Sequence, residues 1–353
     1  MNIPRPDLTD LPDNVAAYIE ALEAELLLLK SSALPKRAAT AATSTDDSDE
    51  ADYTEPPTTI NLITISAAGL AKRTPRHYYT RQRRGGMGIF DLDAPENDPP
   101  AFLVAADESQ ALLLFTSLGR TFRLPVNQLP ETAVRARGQS LLAMLPFPMQ
   151  SGERLAAVLP DSGGAYVALV SERGWTRRIR AAYLGEKMLP GTSFHDVKEG
   201  GLLAAACWTS GSDDLFIVTQ QGSAIRFDEN QASARGVRGL RLGSETDRVM
   251  GTAAVPAGGG VLLIGPDGKG TIRLMSGFNA NKAPGAGGKV AMKAEQIVGM
   301  TAVTDAQDVF IISRLGKLIR FAADEIPPKE GVVQGVNCMS LRADEVTAVA
   351  VSG

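Results

Sequence analysis

Cysteine, histidine and aromatic residues are scarce in this sequence. Of its 353 residues, two are cysteines, Cys207 and Cys338, and two are histidines, His77 and His195. Two cysteines far apart in sequence exclude a disulfide framework and a cysteine-based zinc cluster. Neither histidine stands in a pattern that indicates a Ser–His–Asp triad. The residues therefore predict no metal site, no cofactor and no catalytic constellation.

Long hydrophobic runs are also missing. No apolar stretch approaches the roughly 18 residues that a membrane-spanning helix needs, and the N-terminus shows no apolar region behind a basic start that would indicate a signal peptide. The stretch GPDGKG at residues 265–270 lacks the GK[ST] ending and the following helix of a phosphate-binding loop. We expect a cytoplasmic protein that makes no membrane contact and has no nucleotide site at this position.

Charge is divided unevenly along the chain. Residues 1–57 carry 4 basic and 12 acidic side chains, a net charge of −8. Residues 58–353 carry 32 basic and 28 acidic side chains, a net charge of +4. An acidic arm on a mildly basic globular part is typical of proteins that bind polyanions.

A repeat dominates the rest of the sequence. Six short apolar runs (LITI, LLLF, VALV, LFIV, VLLI and VFII) each precede a turn glycine: Gly69, Gly119, Gly174, Gly222, Gly268 and Gly316. An arginine follows each glycine by four positions, or by five in the fifth unit: Arg73, Arg123, Arg178, Arg226, Arg273 and Arg320. Continuous apolar runs of four residues indicate strands that are buried on both faces.

The repeat predicts an all-β fold, a six-bladed β-propeller. Successive repeat arginines are 50, 55, 48, 47 and 47 residues apart, which is the period of propeller blades. Each blade buries its two faces on its neighbours, so no helix is needed to cover it. We assign the propeller to residues 58–353.

Two further segments precede the predicted propeller. Residues 1–30 contain a predicted helix, residues 13–30, with a heptad seam formed by Val15, Ile19, Leu22, Leu26 and Leu29. The helix could pack on its own protein or a partner, form a short homodimeric coiled coil, or fray, because two heptads are short. Residues 31–57 are rich in Ser, Thr, Ala and Asp and predict a disordered acidic linker, which could be a spacer or could compete with DNA for the basic part.

The first unit carries a loop that the other units do not repeat in full. It reads QRRGGMG at residues 82–88, which we call the box loop, and Arg81 comes directly before it. Arginine forks suit phosphate oxygens, and glycines let backbone N–H groups approach them. A glycine loop with solvated arginines is the alternative. The candidate DNA-binding residues of this unit are Lys72, Arg73, Arg76, Arg81, Gln82, Arg83, Arg84, Gly85, Gly86 and Gly88.

The box loop resembles the Gln-Arg-Arg-Gly-Gly-Lys-Gly box of one family, the C-terminal domain of DNA gyrase A, in six of seven positions. The segment GLAKRTPRHYYTRQRRGG is similar to that family's first blade, and GSAIRFDENQASARGVRGLRL at residues 222–242 is similar to its internal repeat. The resemblance implies a six-bladed β-pinwheel, a propeller variant whose rim binds and bends duplex DNA. It also implies a relation to type II topoisomerases and an association with the nucleoid.

Candidate contacts in the other units are uneven. The second unit has Arg135 and Arg137 at the place equivalent to the box loop, and the fourth has Arg235, Arg238 and Arg241. The fifth has Lys282 and Lys289, whereas the loop MLPGTSF of the third unit has lost its arginines. The repeat arginines behind the turns have an alternative role, bridging carboxylates of the adjacent blade, so we expect the loop arginines to be the better DNA contacts.

Two departures from the family pattern bear on function. Met87 stands where the family box has lysine, which removes one cation. Only 57 residues precede the predicted propeller, and Tyr78 and Tyr79 lie inside its first blade, so we expect no breakage-reunion core and no DNA cleavage by this chain.

Three hypotheses about function follow. The first is a non-catalytic protein that wraps or bends duplex DNA, alone or as an accessory to a type II topoisomerase subunit. The second is a propeller scaffold for protein–protein interaction that has lost DNA wrapping. The third is a split gyrase whose catalytic core is encoded separately.

Overall fold

The computed structural model describes residues 55–255, 258–278 and 283–353. The predicted N-terminal helix, its heptad residues and residues 31–54 of the predicted linker lie outside this part of the chain, as does Lys282. The described residues form 24 strands in six four-stranded antiparallel sheets, which confirms the six-bladed β-propeller. No helix in the described part of the chain is long and apolar enough to cross a bilayer.

Each sheet is one blade, and its four strands follow one another from the centre of the ring outwards. Blade one contains β4 (Pro100–Asp107), β1 (Ile60–Ser66), β2 (Leu70–Pro75) and β7 (Gln139–Ser140). Blade two contains β8 (Leu155–Pro160), β5 (Ala111–Thr116), β6 (Arg120–Pro125) and β11 (Thr192–Ser193). Blade three contains β12 (Leu203–Thr209), β9 (Tyr166–Ser171), β10 (Trp175–Arg180) and β15 (Val237–Arg238).

The other three blades have the same spatial order. Blade four contains β16 (Val249–Val255), β13 (Asp214–Thr219), β14 (Ser223–Asp228) and β19 (Lys289–Val290). Blade five contains β20 (Gly299–Val303), β17 (Gly260–Ile264), β18 (Lys269–Leu274) and β23 (Val336–Asn337). Blade six contains β24 (Val346–Ser352), β21 (Asp308–Ser313), β22 (Lys317–Ala322) and β3 (Ile89–Phe90).

Helical structure in the described residues is limited to short turns. One α-helical turn, α1, spans Val197–Gly200. A three-residue 3-10 turn follows the third strand of every blade: Arg76–Tyr78, Val126–Gln128, Ala181–Tyr183, Glu229–Gln231, Met275–Gly277 and Ala323–Glu325. A further 3-10 turn spans Leu142–Met144.

Strand exchange links every blade to the next unit of the chain. The first three strands of a blade come from its own unit, whereas the two-residue outer strand comes from the following unit. Blade six is completed by β3 of the first unit, with Phe90 opposite Lys317 and Ile89 opposite Leu318. The ring is therefore closed by backbone pairing between its first and last units.

The apolar runs form the second strand of each blade and are buried on both faces, as predicted. On β5, Leu112 and Leu114 belong to the hydrophobic cluster shared with blade one, and Leu113 and Phe115 belong to the cluster shared with blade three. Because side chains alternate between the two faces of a strand, one continuous run supplies both seams. The inner strands surround a central cavity of about 540 Å³.

Candidate nucleic-acid interface

A glycine precedes each outer strand, and at Gly88, Gly138 and Gly335 it lets two backbones come very close. The six glycines are Gly88, Gly138, Gly191, Gly236, Gly288 and Gly335. A Cβ atom added to Gly88 would lie 2.6 Å from the carbonyl oxygen of Leu318, and one added to Gly138 would lie 2.6 Å from that of Ala71. The loops that carry the candidate arginines therefore lie against the outer edge of each blade.

The box loop is fastened to the sixth unit by its backbone and by Arg84. The Arg84 backbone N–H donates to the Glu325 carboxylate at 2.7 Å, and its Nε and Nη1 donate to the carbonyls of Glu325 and Asn337 at 3.0 and 2.6 Å. Gly85 N–H donates to the carbonyl of Cys338. The guanidinium of Arg84 is therefore engaged mainly by protein, and its role includes holding the loop in place.

Arg83 and Arg81 differ from Arg84 in exposure. Arg83 is exposed, whereas Arg81 is about one-third exposed and pairs with Asp308 at 2.7 Å. Met87, at the position of the family lysine, is 54% exposed. A cation at position 87 would therefore be accessible from solvent, on the same loop as Arg83.

Phe90 lies between cations of two other units. It is exposed on β3, and the Arg135 guanidinium lies 5.5 Å from its ring centroid. The Lys317 ammonium lies over the same ring at 5.3 Å. Arg135 and Arg137 are both exposed and flank Ala136, which bridges in parallel with Leu92. The Phe90 ring thus attracts two cations at this edge, and the exposed Arg135 among them can meet phosphate groups.

A second group of exposed cations lies where the fourth and fifth units meet. Arg235, Arg238 and Arg241 are exposed in the fourth unit, and the backbone of Arg241 bridges with Gly287 of the fifth. Lys289 is exposed, donates to the carbonyl of Gly277 at 2.9 Å and lies 5.8 Å from the ring of Phe278. The structure therefore brings Arg241 and the loop before Lys289 together, although they are far apart in sequence.

Lys72, a predicted DNA contact, lies in the interior. Its ammonium pairs with the Asp91 carboxylate at 2.7 Å and donates to the carbonyls of Asp91 and Ala133, each at 3.1 Å. Burial lowers the pKa of Lys72, although the Asp91 charge acts in the opposite direction. Burial and the same carboxylate raise the pKa of Tyr79, whose hydroxyl donates to Asp91 at 2.5 Å. The prediction for Lys72 is therefore corrected to a structural role, because a buried ammonium cannot reach a phosphate group.

Arg73 is buried and Arg76 is largely buried, and groups of the protein engage both side chains. Arg73 donates to the carbonyl of Leu129 at 2.8 Å and to the Asn61 side chain at 3.2 Å. Arg76 pairs with Glu55 and donates to the hydroxyl of Ser352 at 2.6 Å, which joins the two ends of the ring. Both predicted contacts are corrected in the same way. Glu55, which the sequence assigned to the linker, is held by ion pairs with Arg76 and Arg320.

The repeat arginines share one role that explains their spacing. Five of the six reach into the next unit, where each contacts the segment that follows the arginine-bearing strand. These contacts are Arg73 to Leu129, Arg178 to Glu229, Arg226 to Met275, Arg273 to Glu330 and Arg320 to Tyr79. Arg123 pairs instead with Asp161 at 2.6 Å. Of the carboxylate pairs, Arg178–Glu229 joins neighbouring blades as the sequence alternative proposed, whereas Arg226–Asp214 and Arg320–Asp308 lie within one blade.

The third unit presents apolar instead of basic groups at its outer loop. Leu189 is 76% exposed, and a Cβ atom on Gly191 would touch the half-exposed ring of Phe147. The cationic edge is thus interrupted at the loop that lost its arginines. Among the described residues, no group of three or more His, Cys, Asp and Glu side chains is arranged to hold a metal ion.

Comparisons with known proteins agree on one family. The family model described as the DNA gyrase C-terminal domain, β-propeller, matches residues 61–98, 110–160, 213–256 and 307–352, about half of the chain. The DNA gyrase A subunit of Ureaplasma parvum is 29% identical over 304 residues, covering 82% of this chain and 36% of the relative. That of Chlamydia pneumoniae is 30% identical over 297 residues, covering 80% and 35%. The chain thus spans about a third of the length of the curated relatives it matches.

Solved structures show the same fold. A DNA gyrase A C-terminal domain has a TM-score of 0.72 at 18% identity, covering 83% of this chain and 99% of that one. A DNA topoisomerase IV C-terminal domain has a TM-score of 0.57 at 18% identity, covering 83% and 93%.

Proposed function

The chain belongs to the DNA gyrase C-terminal domain β-propeller family, and from this premise we propose that it binds duplex DNA along its outer edge and bends or wraps it. The observation that carries this proposal is the position of the exposed arginines on loops next to the outer strands. Arg83, Arg135, Arg137, Arg235 and Arg238 are all exposed at this edge.

Binding of this kind is electrostatic and tolerant of sequence. Guanidinium groups spaced around a ring meet phosphate oxygens of a curved duplex without reading bases. The outer loops of the first, second, fourth and fifth units each add contacts, so the energy of bending is offset by contacts that only a bent duplex makes. The proposed set comprises Arg81, Gln82, Arg83, Arg84, Gly85, Gly86, Gly88, Arg135, Arg137, Arg235, Arg238, Arg241 and Lys289.

In this proposal the propeller itself catalyses no reaction. The DNA gyrase A relatives are longer, and the part they share with this chain is the propeller. We place the chain as a DNA-wrapping partner of a type II topoisomerase subunit, which would carry out any cleavage. Association with the nucleoid and with such a subunit both follow from this proposal.

Two measurements test the proposal. Retardation of a duplex about as long as one turn of the ring should weaken steeply with salt, by roughly 0.9 in log K per log unit of salt for each phosphate contact. Relaxation of closed circles by a type I topoisomerase should leave a shifted linking number when the protein is present. Absence of retardation at low ionic strength would refute DNA binding, and retardation without a shift would limit the function to binding.

A protein-interaction scaffold is the second candidate function. Its support is the exposed Leu189 in the outer loop of the third unit and the exposed Phe147 of the second unit, which lies beside Gly191 of that loop, together with Met87 in the box loop. Retention of a protein partner by a column carrying this chain, combined with no DNA retardation, would favour the scaffold.

A further inference from the structure

A cavity of about 460 Å³ at the junction of blades three and four is lined by four arginines. They are Arg173, Arg238, Arg241 and Arg248, and Leu240 and Leu242 add apolar surface. Arg173 and Arg248 did not stand out in the sequence as DNA contacts, because neither lies in a loop equivalent to the box loop.

One hairpin turn brings these arginines together. Arg173 lies in the turn between β9 and β10, and the carbonyl of Gly174 accepts hydrogen bonds from Gly239 N–H at 2.8 Å and Leu240 N–H at 3.3 Å. This fixes Arg238 and Arg241 on either side of the turn. Val249 N–H donates to the carbonyl of Glu172 at 2.9 Å, which places Arg248 beside the same turn.

Positive charge in the cavity exceeds negative charge by a wide margin. Glu245 is the acidic residue among the lining residues. Arg248 donates through Nη1 to the carbonyls of Glu245 and Asp247 at 2.5 and 2.7 Å, so the backbone orients its guanidinium, which forms no ion pair with a described residue. Arg173 is mostly exposed, 4.0 Å from Glu172. Within the described ranges, Arg238 and Arg241 form no ion pair.

Clustered guanidiniums repel one another, and an anion relieves that repulsion. Planar guanidinium forks match the oxygens of phosphate groups with two parallel hydrogen bonds. Four guanidinium groups offer more donors than one phosphate group accepts, and the cavity volume is within the range of small-molecule sites. The box loop differs in degree, because Arg84 uses both Nε and Nη1 on carbonyl groups of the protein, whereas the hydrogen bonds of the Arg248 guanidinium to described residues come from Nη1 alone.

We propose that this cavity is a binding site for linked phosphate groups, either a free oligophosphate or successive phosphates of a DNA strand. The oligophosphate arm is independent of the proposed function, whereas the DNA arm rests on it. In both arms, Arg173 and Arg248 extend the cationic edge inwards from Arg238 and Arg241.

The test uses the full chain and sodium tripolyphosphate as the probe in isothermal titration calorimetry at low salt. The variant Arg173→Gln/Arg248→Gln is compared with a charge-matched control, Arg154→Gln/Arg342→Gln. Both control arginines are exposed and precede innermost strands, away from the outer edge. Urea denaturation of each variant verifies folding, and the single variant Arg173→Glu serves if Arg248→Gln destabilises the chain.

The unmodified protein should bind tripolyphosphate at one dominant site. If the affinity falls at least tenfold in the cavity variant but not in the control, the result supports the free-ligand source. If the affinity for duplex DNA falls at least fivefold in the cavity variant and not in the control, the result supports the DNA source. If neither probe distinguishes the cavity variant from the control, the proposal is overturned. If the unmodified protein retards DNA and the cavity variant binds both probes as the unmodified protein does, the cavity proposal is refuted and the proposed function stands. If the unmodified protein binds tripolyphosphate at the cavity but does not retard DNA, the proposed function is refuted and the cavity proposal stands.

Discussion

Lys72 and Asp91 form an ion pair at 2.7 Å in which neither side chain is exposed to solvent. Asp91 also accepts hydrogen bonds from the hydroxyl groups of Tyr79 and Thr64, at 2.5 and 2.7 Å. The pair fixes the segment after β3 against β1 and β2, so it supports the place where the ring closes. A cation that the sequence offered for DNA thus stabilises the first blade.

Breaking this pair should destabilise the fold strongly. We expect Lys72→Met to lower the free energy of unfolding by about 3–5 kcal/mol, because it leaves the Asp91 carboxylate buried without its countercharge. The double variant Lys72→Met/Asp91→Asn should recover part of the loss. Urea denaturation provides the measurement, and Lys187→Met at an exposed position serves as the control. A loss below about 1 kcal/mol would contradict the buried pair.

Replacing Gly88 by alanine should destabilise the fold more than replacing a glycine that has open space around it. At Gly88, φ is +68° and an added Cβ would lie 2.6 Å from the Leu318 carbonyl oxygen. At Gly152, φ is +75° and no atom lies within 4 Å of an added Cβ. Gly152→Ala should cost about 1–2 kcal/mol, because the left-handed conformation disfavours a Cβ. Gly88→Ala should cost clearly more in the same denaturation experiment, and equal losses would contradict close packing of β3 on β22.

Stability should fall in acid, partly through Glu229. Burial raises the pKa of Glu229, but hydrogen bonds from Thr209, Arg178 and backbone N–H groups outweigh it and hold the pKa below its usual value. The folded state then binds fewer protons than the unfolded state, so this stability is present above about pH 4.5 and lost below it. Glu229→Gln should destabilise by about 1–3 kcal/mol at pH 7, and its difference from the parent should narrow as pH falls below about 4.5. Exposed Glu186→Gln should show no such difference at either pH.

His195 should add to the loss in mild acid. Burial lowers the pKa of His195, and the nearby charge of Arg177 acts in the same direction. The unfolded state therefore takes up a proton first, and stability should decrease as pH falls through about 6.5. The variant His195→Gln should flatten the dependence of the melting temperature on pH between about pH 7 and pH 5.5. An unchanged slope in this range would show that His195 does not titrate on unfolding.

Neutralising the exposed arginines next to Phe90 should weaken DNA binding without unfolding the protein. Arg135→Gln/Arg137→Gln should make the slope of log K against log salt less negative by up to about 1.8, because each phosphate contact contributes roughly 0.9. Duplex retardation at several salt concentrations measures this slope. The control Arg154→Gln/Arg342→Gln removes the same charge away from the outer edge, and an equal change in slope would show that net charge alone governs binding.

Restoring the family's lysine to the box loop should strengthen binding. Met87 is largely exposed, so Met87→Lys adds a cation without disturbing packing. We expect a slope more negative by about 0.9 and several-fold tighter duplex binding at low salt. The matched control is Leu315→Lys, an exposed apolar residue at the turn before β22. Equal gains in both variants would mean that position 87 has no special access to DNA.

The sequence by itself determined the number and order of the blades and the buried strand that each apolar run forms. Runs such as LLLF at residues 112–115 are apolar at every position because both faces of the strand are buried. The turn glycines fix the hairpins, and Gly69 adopts φ of +88° as its position predicts. These signals are local, so a single chain read in order reveals them.

The strand exchange left only a weak signal in the sequence. An outer strand of two residues, such as Ile89–Phe90, is too short to show a periodicity. The glycine before it, Gly88, recurs as Gly138, Gly191, Gly236, Gly288 and Gly335 and could have indicated six equivalent edges. No local pattern shows which strand the outer strand pairs with, because β3 pairs with β22 at the far end of the chain.

Tertiary structure alone decided which cations are available. Lys72 and Arg135 are equally charged and both belong to basic segments, yet one is buried on Asp91 and the other is exposed over Phe90. Their surroundings come from different units, so exposure depends on how the blades assemble. The same holds for Arg173 and Arg248, which share a cavity only because blades three and four meet there. A repeat specifies its strands locally, whereas the role of a charged side chain is set by neighbours that only the closed ring supplies.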